Sequence, residues 1–409
     1  MKTSNNIPAY RFQGYTDAWE LRRFSELAEI RRGLTYSPTS IRKEGIRVLR
    51  SSNIDEDTFT FGEDDVFVDK WVVKIPLVKE GDILITAANG SSRLVGKHAI
   101  IKYLPANSAI HGGFMLLASC RNPEFVNSLM SSAWYTKFIN LYVAGGNGAI
   151  GNLNKNDLDE QNVLVPNPKE QSAIGSFFST LDRQITLHQR KLDTLKEQKK
   201  TYLKLLFPVK GQTKPALRFQ GFEDDWEEVK LGEVCTIQGG NAWKSDSYSL
   251  TGEYLVVTIA NVTGEYFIDD KKGNRIDINP NEMQYVLKKG DILISLTGNV
   301  GRVSKMTESK GVLNQRVGKL TTTANFEFIF SILRTEKFEN EMRLASQGAA
   351  QANISNKDVL QYMIPLPTLP EQEAIGSFFS TLDQEIAQVE DKLASLKEMK
   401  KTLLRKLFV

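Results

Sequence analysis

One segment of this chain occurs twice, and this repeat restricts the fold more than any other feature. The thirteen residues Glu170–Asp182 recur as Glu371–Asp383 with a single difference, at an offset of 201 positions. Upstream of each copy, Arg11-Phe-Gln-Gly recurs as Arg218-Phe-Gln-Gly. The stretches between these motifs barely match outside a few short anchors. The pattern predicts a pseudo-two-fold internal repeat, in which one duplicated frame carries two different globular parts.

The repeated segments carry apolar residues at heptad spacing. The seam residues, which we also expect to support the docking of partners, are Ile174, Phe178, Leu181, Ile185, Leu192 and Leu195 in the first copy and Ile375, Phe379, Leu382, Ile386, Leu393 and Leu396 in the second. About five heptads indicate a coiled coil rather than a single core-facing helix. A two-fold axis perpendicular to the helices makes them antiparallel and buries both seams. His188, Lys199 and Lys400 interrupt the seams, and we interpret them as register or surface features.

The motifs divide the chain into six segments. They are an N-terminal arm at 1–18, a first globular domain at 19–167, a central helix at 168–208, a linker arm at 209–225, a second globular domain at 226–368 and a C-terminal helix at 369–409. Short β-branched runs at Val72–Ile75, Asp82–Ile85 and Leu255–Ile259 predict strands. Pro123–Tyr142 and Asn325–Leu344 predict amphipathic helices. The predicted fold class is α/β (α+β), with two globular domains joined by two long antiparallel coiled-coil helices.

Composition excludes several classes of protein. The chain is 41% hydrophobic and 25% charged, which is ordinary for a globular protein and unlike a disordered one. Two cysteines and three histidines are too few for a disulfide framework or a zinc cluster. No apolar run approaches the roughly 18 residues that a membrane helix needs, and residues 1–13 lack the apolar core of a signal peptide. We therefore expect a cytoplasmic protein with no membrane partner.

Three patterns resemble catalytic or cofactor motifs, but each has a simpler interpretation. Gly146–Gly151 fits a dinucleotide fingerprint, yet no strand–helix frame surrounds it, so a turn is the better interpretation. Gly90–Lys97 has the wrong glycine spacing for a phosphate loop. Asp291, Glu308 and Lys310 mimic a metal-dependent nuclease, but the first copy has no counterpart. We expect no catalytic residue, no metal site and no cofactor in this chain.

The charge pattern and the loop composition indicate a surface for nucleic acid. Residues 22–50 hold eight basic and three acidic side chains, whereas residues 51–69 hold seven acidic side chains and no basic one. This segregation predicts one basic face that follows phosphates, with an ordinary solvated charge pattern as the alternative. Glycine-containing loops after the first predicted strand of each copy place polar and aromatic side chains where they reach base edges. The candidate DNA-binding residues are Arg31, Arg32, Tyr36, Ser91, Ser92, Arg93, Trp243, Lys244, Thr297, Asn299, Arg302, Gln315 and Arg316.

These motifs together resemble one known family. The duplicated Glu-Gln-x-Ala-Ile-Gly-Ser-Phe-Phe-Ser-Thr-Leu-Asp segment, the Gly-Asp-Ile-Leu-Ile motif at Gly81 and Gly290, and the run Asn353–Asp358 before Ile364–Pro367 are similar to the specificity subunit of type I restriction–modification systems. The resemblance covers essentially the whole chain. The first copy departs from the pattern at Gly145–Asn154, which lacks the glutamines that the second copy has at Gln347 and Gln351.

The resemblance implies a DNA sequence-recognition subunit with two target-recognition domains, each of which reads one half of a bipartite double-stranded site. The helices then set the spacer and dock two methyltransferase subunits. It further implies that S-adenosylmethionine, ATP and Mg²⁺ are used by the methyltransferase subunits and the motor–restriction subunits, in the cytoplasm of a prokaryote. Two alternatives from other classes are a coiled-coil DNA-binding adaptor outside restriction and an overlooked metal-dependent nuclease.

Overall fold

The computed structural model describes residues 6–143, 151–209, 211–346 and 352–409. These residues form two compact units. Unit 1 comprises the residues up to Gln189 together with Lys392–Val409, and unit 2 comprises Arg190–Asp391. Both long helices therefore contribute to both units. None of the described helices is long and apolar enough to cross a membrane. The runs at 144–150 and 347–351, which include Gly146, Gln347 and Gln351, lie outside the described residues.

Unit 1 is a mixed assembly of short strands and helices. Its elements are β1 (Glu20–Arg23), α1 (Phe24–Leu27), β2 (Ala28–Arg32), β3 (Ile41–Arg42), β4 (Ile46–Leu49), β5 (Ile54–Asp55), β6 (Thr58–Phe59), β7 (Val66–Val68), β8 (Ile83–Thr86), β9 (His98–Ile100), β10 (Ala109–His111), β11 (Met115–Cys120), α2 (Pro123–Met130), α3 (Ala133–Tyr142), α4 (Lys155–Asp159), β12 (Asn162–Val165) and the first part of α5 (Pro168–Leu205). The strands form two four-stranded sheets with the orders β2-β11-β8-β9 and β10-β4-β7-β3, and two strand pairs, β1-β12 and β5-β6.

Unit 2 repeats the first of these sheets and changes the second. Its elements are the rest of α5, β13 (Glu227–Lys230), α6 (Leu231–Val234), β14 (Cys235–Gly239), β15 (Tyr254–Val257), β16 (Arg275–Ile276), β17 (Val286–Leu287), β18 (Ile292–Ser295), β19 (Val303–Lys305), β20 (Gly311–Leu313), β21 (Val317–Thr322), α7 (Phe326–Ile332), α8 (Glu336–Ala345), α9 (Asn356–Leu360), β22 (Met363–Leu366) and most of α10 (Leu369–Leu407). The order β14-β21-β18-β19 matches β2-β11-β8-β9. In the second sheet β16-β15-β20 matches β7-β4-β10, because β15 and β20 are parallel as β4 and β10 are. The fourth strand differs, since β17 pairs with β20 whereas β3 pairs with β7.

The predicted fold class is confirmed, one predicted strand is absent, and the two predicted helical stretches are helical with one break each. Residues 72–75 form no strand, because Asp69 accepts a hydrogen bond from the Trp71 N–H at 3.2 Å and starts a short 3-10 turn instead. Each predicted amphipathic helix is a pair of helices, α2 with α3 and α7 with α8. Asn122 and Asn325 cap α2 and α7 by accepting hydrogen bonds from backbone N–H groups three residues later.

The two long helices run antiparallel within each unit. In unit 1 the Lys400 ammonium lies 2.9 Å from the Asp182 carboxylate, and in unit 2 Lys199 lies 2.7 Å from Asp383. The two residue numbers of each pair add to the same total, so the helices pair in an equivalent antiparallel register within each unit. A third charged group from the globular part joins each pair, Asp57 in unit 1 and Arg334 in unit 2. The lysines that interrupt the heptads are thus bound by carboxylates, as expected for register features.

The predicted seam residues are buried, but they pack against more than the opposite helix. All of them are buried except Ile185, which is partly buried. Ile174 and Phe178 join the core of unit 1 with Phe24 and Phe125, and Ile375 and Phe379 join the equivalent core of unit 2. The first half of each helix is therefore a structural part of its own globular unit. This first half is a core-facing helix, and the interpretation as a coiled coil applies to the contacts that it makes with the other long helix.

An aromatic side chain at the end of each helix fills the core of the opposite copy. In unit 1 the Phe408 ring lies 6.0 Å from Trp19, 6.0 Å from Phe125 and 6.1 Å from Phe178, measured between centroids. In unit 2 the Phe207 ring lies 6.3 Å from Trp226, 5.6 Å from Phe328 and 5.9 Å from Phe379. The recurring Leu-Phe ending of the repeat is therefore a core residue in both units.

The arm before each globular part is clamped to the start of its long helix. Arg11 donates two hydrogen bonds of 2.7 Å to the buried Glu170 carboxylate. Arg218 makes the same bidentate contact with Glu371 at 2.7 and 2.8 Å. Paired hydrogen bonds between a guanidinium and a carboxylate are among the strongest polar contacts in proteins. This clamp explains why the Arg-Phe-Gln-Gly and Glu-Gln motifs recur together.

Candidate nucleic-acid interface

The loops at one end of the main sheet of unit 1 are held side by side by backbone hydrogen bonds. The Leu34 N–H donates to the His111 carbonyl at 2.9 Å, and the Ala87 N–H donates to the Phe114 carbonyl at 2.9 Å. The Leu153 N–H donates to the Ala87 carbonyl at 2.7 Å. We call this surface the first loop face, defined as residues 33–36, 87–94, 112–114 and 152–154.

The same hydrogen bonds recur in unit 2 between different side chains. The Asn241 N–H donates to the Leu313 carbonyl at 2.9 Å, the Leu296 N–H to the Arg316 carbonyl at 3.0 Å, and the Ile354 N–H to the Leu296 carbonyl at 2.9 Å. Phe114 and Arg316 therefore occupy equivalent backbone positions. We call this surface the second loop face, defined as residues 240–244, 296–302, 314–316 and 352–354.

One glycine in each loop face allows two backbones to cross closely. A Cβ at Gly33 would lie 1.9 Å from the carbonyl oxygen of Gly112, and a Cβ at Gly240 would lie 2.3 Å from that of Asn314. Any other residue would force the loops apart. The crossing fixes the backbone of both faces, so their chemistry depends on the side chains that they display.

The candidates in unit 1 divide into exposed and engaged side chains. Arg32, Ser91, Ser92 and Arg93 are exposed, and Arg32 also donates to the Asn154 side chain at 3.4 Å. Arg31 and Arg32 both belong to the end of β2, just before the loop.

The Arg31 guanidinium donates to Ser119 at 3.0 Å and lies 3.5 Å from the buried Asp82 carboxylate. Tyr36 is partly buried against the second sheet. The exposed side chains of Arg32, Ser91, Ser92 and Arg93 are thus better placed to contact a ligand than those of Arg31 or Tyr36. The DNA-binding role of all six residues stays a prediction.

The candidates in unit 2 lie on three neighbouring loops. The exposed side chains are Lys244, Asn299, Gln315 and Arg316. The Gln315 N–H donates to the Asn241 carbonyl at 3.0 Å, which joins two of the loops.

The other three candidates in unit 2 are engaged within it. The Trp243 indole N–H donates to Glu282 at 2.7 Å, and the Thr297 hydroxyl donates to Asn353 at 3.2 Å. Arg302 is partly exposed and lies against Gly264. Their role in DNA binding stays a prediction.

Phe114 is the feature of the first loop face that the sequence reasoning missed. Its side chain is 74% exposed, although an apolar residue just before the strand Met115–Cys120 suggests a core position. Its equivalence to Arg316 appears only once the hydrogen bonds of the two faces are compared. The faces therefore share a backbone and present an aromatic group in unit 1 and a guanidinium in unit 2.

The predicted separation of basic and acidic faces is wrong. Arg50 lies 3.0 Å from Asp64, Arg42 lies 3.7 Å from Asp69, and Arg47 pairs with Asp65. Folding brings the basic block 22–50 against the acidic block 51–69, because β3 and β4 both pair with β7. Charges that are segregated along the chain are therefore neighbours in the folded unit.

Two polar groups of unit 1 are uncharged at neutral pH, the buried His111 next to the first loop face and the partly buried Cys120 at the opposite end of β11. Burial lowers the pKa of His111 to about 4, and its Nε2 lies 3.3 Å from the Arg31 carbonyl oxygen. Burial also raises the pKa of the Cys120 thiol to about 12, which makes it a poor nucleophile.

The nuclease-like residues are each engaged with different partners. Asp291 accepts a hydrogen bond from the Lys288 backbone N–H at 2.9 Å, and Lys310 pairs with Glu253. Glu308 pairs with Lys289. Among the described residues, no group of three or more His, Cys, Asp or Glu side chains is placed to hold a metal ion.

Comparison with known proteins identifies the family. The sequence matches the type I restriction modification DNA specificity domain twice, over residues 16–197 and 223–398. The chain belongs to this family. It is therefore a DNA specificity subunit rather than a catalytic subunit, as the sequence predicts.

Individual relatives agree over most of the chain. The putative type I restriction enzyme MjaX specificity subunit of Methanocaldococcus jannaschii is 27% identical, over 94% of this chain and 92% of the relative. The EcoKI specificity subunit of Escherichia coli is 22% identical, over 96% and 89%. The MjaVIII specificity subunit of M. jannaschii is 28% identical over 60% of this chain, and that alignment spans 61% of the relative. The crystal structure of the type I restriction-modification S subunit from M. genitalium has the same fold, with a TM-score of 0.67 at 18% identity over 98% of this chain and 99% of that one.

Proposed function

We propose that each unit reads one half of a split double-stranded DNA site through its loop face, and that α5 and α10 fix the spacer between the halves. One observation carries the proposal. The two loop faces have the same backbone hydrogen bonds, yet they display Phe114 in one unit and Arg316 in the other. Two domains that recognise two different DNA sequences need this arrangement, in which the backbone is the same and the exposed side chains differ.

The exposed groups have the chemistry to discriminate bases. An arginine such as Arg316 donates two hydrogen bonds to guanine in the major groove, and Gln315 suits adenine. Phe114 offers an apolar contact to the thymine methyl group. Arg32, Arg93 and Lys244, in contrast, carry charge that attracts phosphates regardless of sequence.

The partners follow from the family rather than from contacts in this chain. The matched relatives are specificity subunits of type I restriction enzymes. We propose that two methyltransferase subunits dock along the helices and that motor–restriction subunits join the complex. S-adenosylmethionine, ATP and Mg²⁺ then belong to those partners, and the complex acts on DNA in the prokaryotic cytoplasm.

Exchange of one domain tests the two-reader proposal. Residues 19–167 are replaced by those of another family member, and adenine methylation is mapped across the genome of a host that carries the complete system. We expect one half of the methylated motif to change, while the other half and the spacer stay the same. Exchange of residues 226–368 is the matched control and should change the opposite half. A change of both halves in either exchange would contradict the proposal.

A further inference from the structure

Four basic positions recur in the last part of both long helices. Lys196, Lys199, Lys200 and Lys204 in α5 correspond to Lys397, Lys400, Lys401 and Arg405 in α10, at the same offset of 201 positions as the repeat. Lys199 and Lys400 are accounted for, because each binds a carboxylate of the opposite helix. We call the remaining three positions of each helix its basic stripe.

Ion pairs within the chain do not account for the stripes. Lys196 lies 2.6 Å from Glu390, whereas its counterpart Lys397 lies 3.7 Å from Glu56. Position 390 is an acid, but the equivalent position in the first copy is Gln189.

The last residues of the two stripes, Lys204 and Arg405, also have different acidic partners. Lys204 lies 3.4 Å from Glu336 of the globular part, whereas Arg405 lies 4.0 Å from Glu398 of its own helix. The acidic partners thus change between the copies, while the basic residues remain. Exposed pairs of this kind contribute only about 0–1 kcal/mol each, so a ligand outside the chain is the better explanation of the recurrence.

Each stripe lies along a groove with excess positive charge. In unit 1 the groove has a volume of about 810 Å³, and its walls carry six lysine or arginine and three acidic side chains. In unit 2 the groove has a volume of about 280 Å³, with five basic and two acidic side chains.

Both grooves adjoin a loop face. The walls of the first groove include Gly96 and Lys97, which follow directly after the first loop face. The walls of the second groove include Gly264, against which Arg302 of the second loop face lies. Each groove therefore has wall residues that neighbour the loop face of the same unit.

We infer that the two basic stripes bind phosphates of the DNA spacer between the half-sites, without reading its sequence. Residues four apart on a helix share one face and rise about 6 Å, so a stripe presents a row of cations to a DNA strand. Phosphate contacts from Lys and Arg position a protein on DNA and carry no sequence information. The duplication of the stripe suits the two strands of a duplex. The inference rests on the proposed function, because it needs a DNA site that is split by a spacer.

Neutral variants test the inference on the full chain. Lys196→Gln, Lys200→Gln, Lys397→Gln and Lys401→Gln are combined, and affinity for a duplex with the mapped half-sites is measured against salt concentration. We expect weaker binding, with a salt slope reduced by up to about 0.9 for each lost phosphate contact. The matched control is Lys191→Gln with Lys392→Gln, a duplicated pair on the same helices that lines neither groove. The slope of the control should equal that of the wild type.

A second duplex locates the contacts. Neutral methylphosphonates replace the phosphates of the spacer only, and the wild type should lose affinity for this duplex while the stripe variant should not. An unchanged slope in the folded stripe variant would overturn the inference, as would equal sensitivity of both proteins to the methylphosphonates. Normal DNA binding with loss of methyltransferase binding would also overturn it, and would assign the grooves to a protein partner. A wild type that does not prefer the split site over unrelated DNA would instead refute the proposed function.

Discussion

Replacement of Phe408 with alanine tests how the end of one helix stabilises the opposite copy. The side chain is only 8% exposed and contacts the rings of Trp19, Phe125 and Phe178. Truncation of a buried phenylalanine to alanine costs about 3–5 kcal/mol, because apolar area is lost and a cavity remains. Domains are stable by only about 5–15 kcal/mol, so unit 1 should lose a large part of its stability.

Hydrogen exchange followed by mass spectrometry measures this loss in each unit separately. We expect amides of the central strand β8 in unit 1 to exchange at least about a hundredfold faster in Phe408→Ala, since each 1.4 kcal/mol is a factor of ten. Amides of β18 in unit 2 should keep the wild-type rate. Phe207→Ala should give the reverse result, because Phe207 fills the core of unit 2.

Val409→Ala is the control, since Val409 is 51% exposed and surface substitutions change stability by less than about 0.5 kcal/mol. Equal acceleration in both units by Phe408→Ala would show that the units unfold as one body. No acceleration in either unit would show that the Phe408 ring adds nothing to the core. Either result would refute the assignment of each helix end to one unit.

Three further predictions concern chain connectivity, DNA affinity and pH. Joining Val409 to the N-terminal residue by a short flexible linker and opening the chain between 208 and 215 should preserve both the DNA site and its spacer. The reason is that Tyr10 of the N-terminal arm lies next to the end of α10, where its N–H donates to the Lys406 carbonyl at 2.8 Å. A changed spacer in the methylation map of the permutant would contradict this prediction. Arg32→Glu should weaken DNA binding and reduce the dependence of log affinity on log salt concentration by about 0.9 per lost phosphate contact, measured in a salt titration. Arg31 is left unchanged because reversing its charge would break the contact with Asp82. The pKa of His111 is about 4 in the folded chain and about 6.5 in the unfolded chain, so between these pH values only the unfolded chain binds the proton. The free energy of unfolding should therefore fall by about 2 kcal/mol from pH 7 to pH 5. Urea unfolding of His111→Gln should lack this part of the pH dependence, and the same pH dependence in the variant and the wild type would disprove the assignment.

The helical frame of this protein could be predicted from the sequence because its determinants are periodic and repeated. Apolar residues at heptad spacing favour a long helix, and the duplication of the segment predicts two copies of one structural unit. Helix α5 at Pro168–Leu205 lies close to the predicted range, and Lys199 and Lys400 act within the predicted antiparallel register. Membership of the specificity-subunit family followed from the same motifs.

The split of each long helix between the two units was decided only by the tertiary structure. Heptad spacing does not tell whether an apolar residue faces another helix or a globular core, and Phe178 faces both. The clamp between Arg11 and Glu170 joins residues 159 positions apart, so the repeat showed that both recur but not that they touch.

The candidate interface shows the same limit. The exposed state of Phe114, the engagement of Arg31 with Asp82 and the pairing of Arg50 with Asp64 all depend on which loops meet in space. Local patterns determine the elements because their causes lie within a few residues of the chain. Which side chains are exposed depends on long-range packing between segments whose sequences differ in the two copies. Neither the internal repeat nor the heptad spacing therefore predicts it.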